Sequence, residues 1–199
     1  MGFPDSTQTM QARHAEERRA FAGTPHRLET MSLLDEDYLG GPRGSADAAA
    51  LGERIARWAE EYPVGSIVIP AAAGRRRGRL RARLEALTGP RGGVLRHEDH
   101  LFVRETTMAT VSSRRELTTV LYEELPYAWG GSAEREVRRL AAAQRRRAVE
   151  VVAEIDRNKK AQRLAHYTSQ IDHLSEFGLR LDDPSSLPGT ERYWILRPR

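Results

Sequence analysis

Cysteine is absent from the 199 residues, which excludes disulfides, cysteine–zinc sites and thiol catalysis. No apolar run approaches the roughly 18 residues that a membrane-spanning helix requires, so no membrane partner is expected. The opening Met1-Gly2-Phe3-Pro4-Asp5 has neither the basic cluster nor the apolar stretch of a signal peptide, and a cytoplasmic location is expected. Lysine is nearly absent too: Lys159 and Lys160 are the only lysines among 32 basic residues, and the rest are arginine. Against 28 acidic residues this leaves a net charge of +4, too small a surplus for a dedicated nucleic-acid binder. What remains is ordinary for a folded protein. Hydrophobic residues make up 39% of the chain, enough at this length to build one domain around a real core.

The apolar spacing predicts an alternation of helices and strands. Residues 5–22 read as a helix ended by Gly23-Thr24-Pro25, and His26 to Leu34 as a short strand. Leu51, Ile55, Trp58 and Tyr62 fall on one face of a second helix, capped by Ser45 or Asp47 and stopped by Pro63. Ser66-Ile67-Val68-Ile69-Pro70 is a continuous apolar run, as a doubly covered parallel strand would be. A helix opens near His97, and Leu117 to Leu125 reads as another buried strand. Val137, Leu140, Gln144, Ala148, Val151 and Ile155 recur at helical spacing, as do Leu164, Tyr167, Ile171 and Leu174, closed by Gly178. Tyr193-Trp194-Ile195-Leu196 reads as a terminal strand. The expected fold class is α/β, a Rossmann-like, mostly parallel sheet flanked by helices in one domain over residues 1–199.

Two segments stand apart chemically. Residues 74–96 look like an insertion in which Arg75, Arg76, Arg77, Arg79, Arg81 and Arg83 crowd together. They make either a phosphate-binding patch or a solvated helix or loop with an anionic neighbour. His97-Glu98-Asp99-His100 sets two imidazoles and a carboxylate at the start of a helix. That is either a fragment of a metal site or a polar surface turn, because imidazole is the commonest zinc ligand but a catalytic zinc takes three protein ligands.

The order of these segments is informative. The strand ending in Pro70 leads through a loop to His97–His100, then to Tyr122-Glu123-Glu124-Leu125-Pro126-Tyr127, and finally to Glu191-Arg192-Tyr193-Trp194. Upstream, Arg13-His14-Ala15-Glu16 precedes Leu33-Leu34-Asp35. From about Met10 to Trp194 the chain resembles the LmbE-like, or PIG-L, family of zinc-dependent N-acetylglucosaminyl deacetylases. The resemblance implies hydrolysis of an N-acetyl group on an amino sugar or its conjugate. It implies that His100 is a zinc ligand, that Asp99 orients, and that His97 stabilises the oxyanion. Arg13 and Asp35, or else Asp37, would then lie near the sugar. Zinc would supply an activated water and a polarised carbonyl, and His97 would take up charge on the tetrahedral intermediate.

The chain departs from the family at its start. Family members open with an apolar strand ending in His-Pro-Asp-Asp, which carries two of the three zinc ligands and the general base. Nothing here corresponds, and His14-Ala15-Glu16-Glu17 lacks a preceding apolar strand. The sequence therefore reads as N-terminally truncated, holding one zinc ligand of three. It is expected to be inactive as this chain, or else a pseudoenzyme or binding protein of the same fold.

Overall fold

A computed structural model describes residues 6–35, 38–39, 43–62, 65–73, 97–114, 116–125, 133–174 and 179–198. In chain order the elements are α1 (Ser6–Ala20), α2 (Ser45–Glu61), β1 (Ser66–Pro70), α3 (Glu98–Val111), β2 (Thr118–Tyr122), α4 (Ala133–Ala143), β3 (Arg146–Glu154), α5 (Arg157–Leu164), α6 (Ile171–Leu174) and β4 (Thr190–Pro198). They gather into two compact units. One comprises Met1–Pro42 and Glu154–Glu191, the other Arg43–Ala153 and Arg192–Arg199.

In the first unit α1 packs on α5. The carboxylate of Glu16, only 3% exposed, accepts hydrogen bonds from Thr168 Oγ1 at 3.0 Å, from Ser169 N and Oγ at 2.7 Å each, and from Gln170 Nε2 at 3.4 Å. These bonds capture residues 168–170 in a turn. The helix expected across Leu164–Leu174 is therefore two helices, α5 and α6, with the turn between them. Asp156 starts α5 by accepting from Lys159 N at 3.1 Å. Residues 26–35 form no regular element and pair with no strand among the described residues, so the strand expected at His26–Leu34 is not formed.

The second unit holds a four-stranded sheet in the order β1-β2-β4-β3. β1 and β2 are parallel, from Ser66 opposite Thr118 to Pro70 opposite Tyr122. β4 is antiparallel to β2, with Leu121 opposite Trp194. The expected α/β architecture is present, with helices packed on a sheet that contains a parallel pair. Ile69, Leu121, Trp194 and Leu196 of the sheet form a core with Met108 of α3 and Ala133, Val137 and Ala141 of α4. A second cluster joins Ile55 of α2, Val111 of α3 and Leu117. Against Gly52 the two helices approach so closely that a Cβ there would lie 3.1 Å from Thr110 Oγ1. α2 ends at Tyr62, whose extended backbone (φ −122°, ψ 139°) is the conformation a following proline imposes.

The helix expected across Val137–Ile155 stops at Ala143. Arg145 takes φ 54°, a left-handed turn that ends helices, and the chain returns as β3. Val151 fits the helical spacing, but Val149, Val151 and Val152 together carry strand preference, and here the strand wins. The Arg-rich stretch 74–96, Tyr127, Trp129 and Gly178 lie outside the described residues.

Candidate functional site

In the second unit β1 and β2 run side by side to Pro70 and Tyr122, and the residues beyond their carboxyl ends come together. That is where open α/β sheets place ligands. After Pro70 the chain turns through Ala71, Ala72 and Ala73, each at most 1% exposed. Ala72 adopts φ 48°, a conformation that a residue with a Cβ holds only when its surroundings enforce it. Three contacts do so. Ala71 N donates to Tyr122 O at 2.9 Å, and the buried Arg104 of α3 donates through Nη1 to Ala71 O at 2.6 Å. Ala72 N donates to Glu124 Oε1 at 2.7 Å.

Glu124 is the pivot of this arrangement. Its Oε1 also lies 3.2 Å from His100 Nδ1. An ionised carboxylate only accepts, so the imidazole presents its Nδ1–H to Glu124 and turns Nε2 away from it. Glu124 Oε2 is buried and has no hydrogen-bond partner among the described residues. The neighbouring Tyr122 phenol is pushed up to about 12, first by burial and then by the charge on Glu124. Glu123, one residue earlier, points the other way. It takes a two-pronged ion pair from Arg192, with Nε to Oε2 at 3.0 Å.

His97 is the N-cap residue of α3, extended at φ −75°, ψ 120°. Its ring stacks on that of His100, centroids 4.7 Å apart and planes 26° from parallel. Asp99 sits in the first turn of α3, where a negative charge complements the helix dipole. One of its oxygens is held by Arg43 Nη2, and the other is 3.9 Å from His97 Nδ1, beyond hydrogen-bonding range. Arg43 also reaches Asp47 at 3.3 Å and lies 4.8 Å from the Phe102 ring centroid. It thereby ties the start of α2 to the start of α3.

The expected residues thus fall in two places. His97, Asp99 and His100 cluster at the head of α3 in the second unit. Arg13 and Asp35 form an ion pair with each other in the first, and Arg13 Nε is buried without a hydrogen-bond partner among the described residues. Sequence reasoning assigned no role to Glu124, Arg104 or Arg43. For Glu124 a signal existed: a carboxylate two residues past a buried strand stands at the sheet's ligand-facing end. For Arg43 there was none, because its pairing with Asp99 depends on how α2 meets α3.

As a donor set, these side chains do not make a metal site. Among the described residues no three His, Asp or Glu side chains converge on a point that could hold an ion. The carboxylate of Asp99 is engaged by Arg43, and that of Glu124 by Ala72 and His100. A cavity of about 350 Å³ lies elsewhere, between α4 and β3, lined by Glu134, Arg138, Arg146, Glu150 and Trp194. Its Arg138 is neutralised by Glu134 at 2.5 Å, and Glu150 faces Arg192 at 3.6 Å.

No family model matches the chain, and no curated protein matches it in sequence. Solved structures do. The A40926 pseudoaglycone deacetylase Dbv21 superposes with a TM-score of 0.60 at 20% identity, over 94% of this chain and 71% of its own. A triple mutant of a deacetylase of the teicoplanin biosynthetic pathway gives 0.60 at 17% identity, over 96% and 71%. The fold is that of these deacetylases. The zinc-inhibited form of teicoplanin deacetylase Orf2 gives 0.55 at 16% identity, over 94% and 74%.

Proposed function

We propose that this protein serves N-deacetylation of an amino sugar or an amino-sugar conjugate, recognised at the His97–His100 site. The observation that carries the proposal is the buried Glu124 at the ligand-facing end of a deacetylase fold, bonded through Oε1 to Ala72 N and His100, with an Oε2 that has no partner among the described residues. A buried acceptor left open costs on the order of 1–3 kcal/mol, and a ligand hydroxyl or amide N–H would relieve it. In this role Arg43 holds Asp99, and with it the first turn of α3, and His97 faces the acyl group as the oxyanion donor. Within the first unit, Arg13 Nε offers a donor of its own, with Asp35 holding the guanidinium in place. The cysteine-free composition suits the cytoplasmic location that we propose with it.

The family that the sequence resembles would draw on zinc to activate water. The residues described do not hold it, and no step is routed through it. We propose accordingly that the 199-residue chain by itself binds the acylated sugar and does not hydrolyse it. Zinc analysis of the dialysed protein is expected to give well under one equivalent. Titration with an N-acetylglucosaminide should shift the NMR signals of His97 and His100, with no free amine formed on incubation. Binding lost in His97→Ala and in Glu124→Gln supports the site. Absence of binding by the wild-type chain overturns the recognition half. Amine release that falls by about 10²–10³-fold in His97→Ala overturns the inactive half and makes the chain an enzyme outright.

A further inference from the structure

β3 occupies one edge of the sheet, with β4 on one side and no further strand beside it among the described residues. It is nine residues long, and three of its valines are open to solvent: Val149 at 38%, Val151 at 42% and Val152 at 56% exposure. A long edge strand with exposed β-branched side chains is a template for pairing with another strand. Its charges select the partner. Arg146 and Arg147 open the strand and Glu154 closes it, with Glu150 at the centre. Edge charges that guard against pairing work by setting like against like, whereas here the two signs are segregated end to end.

We propose that β3 is the interface of a two-fold symmetric dimer, in which it pairs antiparallel with β3 of a second copy of this chain. A two-fold axis perpendicular to the sheet keeps each face on its own side, so residues opposite each other must have the same parity. With the axis at Glu150, Arg146 of each copy stands opposite Glu154 of the other. Val149 faces Val151, and Ala148 faces Val152. The two Glu150 side chains meet at the axis, and each already has Arg192 of its own chain at 3.6 Å. Parallel pairing would set Arg on Arg and Glu on Glu, and it would not close into a point group. The dimer is independent of the chemistry at His97–His100.

Pairing two nine-residue edges buries less than the ~1,600 Å² of a standard interface, so association is expected in the micromolar range, with a Kd on the order of 1–100 µM. Sedimentation velocity across that range should show a monomer–dimer equilibrium. Glu154→Arg and Arg146→Glu each turn two attractive cross-strand pairs into two repulsive ones and should each weaken association about 10-fold or more. The double variant Arg146→Glu/Glu154→Arg restores the complementarity and should recover the wild-type Kd. Circular dichroism checks that each variant is folded. A wild-type chain that stays monomeric throughout overturns the proposal. So does a dimer insensitive to the single charge reversals, or one weakened by both and not rescued by the double variant.

Discussion

Glu123 and Glu124 are adjacent and chemically identical, yet their surroundings give them opposite work. Just past the end of β2, Glu123 turns to Arg192 and Glu124 to the buried turn at Ala72 and to His100. The effect of Glu124 can be read through Tyr122. Burial and the nearby carboxylate hold its phenol at about 12, above an ordinary tyrosine near 10. A folded-state value above the unfolded one contributes stability that is fully present below about pH 10 and is lost as pH rises toward 12. Glu124→Gln removes the charge and keeps the shape. Ultraviolet titration should then show Tyr122 ionising at lower pH than in the wild type, still above 10 because burial persists. An unchanged Tyr122 titration would mean that Glu124 does not sit beside it as an anion. Because Gln can also donate a hydrogen bond, the orientation of His100 should change in the same variant.

α1 illustrates what a helix cannot do alone. Its sequence, Ser6 to Ala20, is polar on nearly every side, and propensity without an apolar face gives marginal helices. The buried Glu16 supplies the anchor. Burial by itself would raise its carboxyl, but hydrogen bonds from the Ser169 side chain and backbone, Thr168 and Gln170 outweigh that and lower it. A depressed folded value contributes stability above the usual carboxylate range and loses it as pH falls through that value. Glu16→Ala is expected to destabilise the first unit by about 2–4 kcal/mol, because it strands several donors at once. The loss, measured by chemical denaturation at pH 7, should shrink toward acid pH. The same turn shows where sequence reasoning stopped. Elements set by local pattern were legible: α1, α2, β1, α3, β2 and β4 lie close to where spacing and proline put them, although α2 is capped by Gly44 with no side-chain bond and not by Ser45 or Asp47, which lie inside its first turn. Elements decided by distant partners were not. The break between α5 and α6 depends on a carboxylate far upstream, and the exchange of helix for strand at β3 depends on a left-handed Arg145 and a neighbouring β4. At the site, His97-Glu98-Asp99-His100 was visible as a motif, while Arg43 and Glu124 were placed only by how the elements meet.

The molecule as a whole divides its apolar material unevenly. The second unit carries the sheet core around the fully buried Leu121 and Val137. Leu121→Ala should cost about 2–5 kcal/mol in chemical unfolding, and a loss below about 1 kcal/mol would mean that the sheet core is not packed as described. Among the described residues the first unit has fewer buried apolar side chains, Ala20, Ala161, Ile171, Leu181 and Leu187, and leans on polar anchors. Its two segments, moreover, come from opposite ends of the chain. Glu16 and Ser169 are separated by 153 positions in sequence. During synthesis at about 5–20 residues per second, α1 is therefore made about 8–30 seconds before its partners exist. The nascent α1 must wait in that interval without its Ser169 partner, as a strongly charged segment, while the second unit, nearly continuous in sequence, assembles behind it. Its polarity then acquires a second meaning: a helix that waits so long for its acceptor turn is safer with little apolar surface to offer a wrong partner.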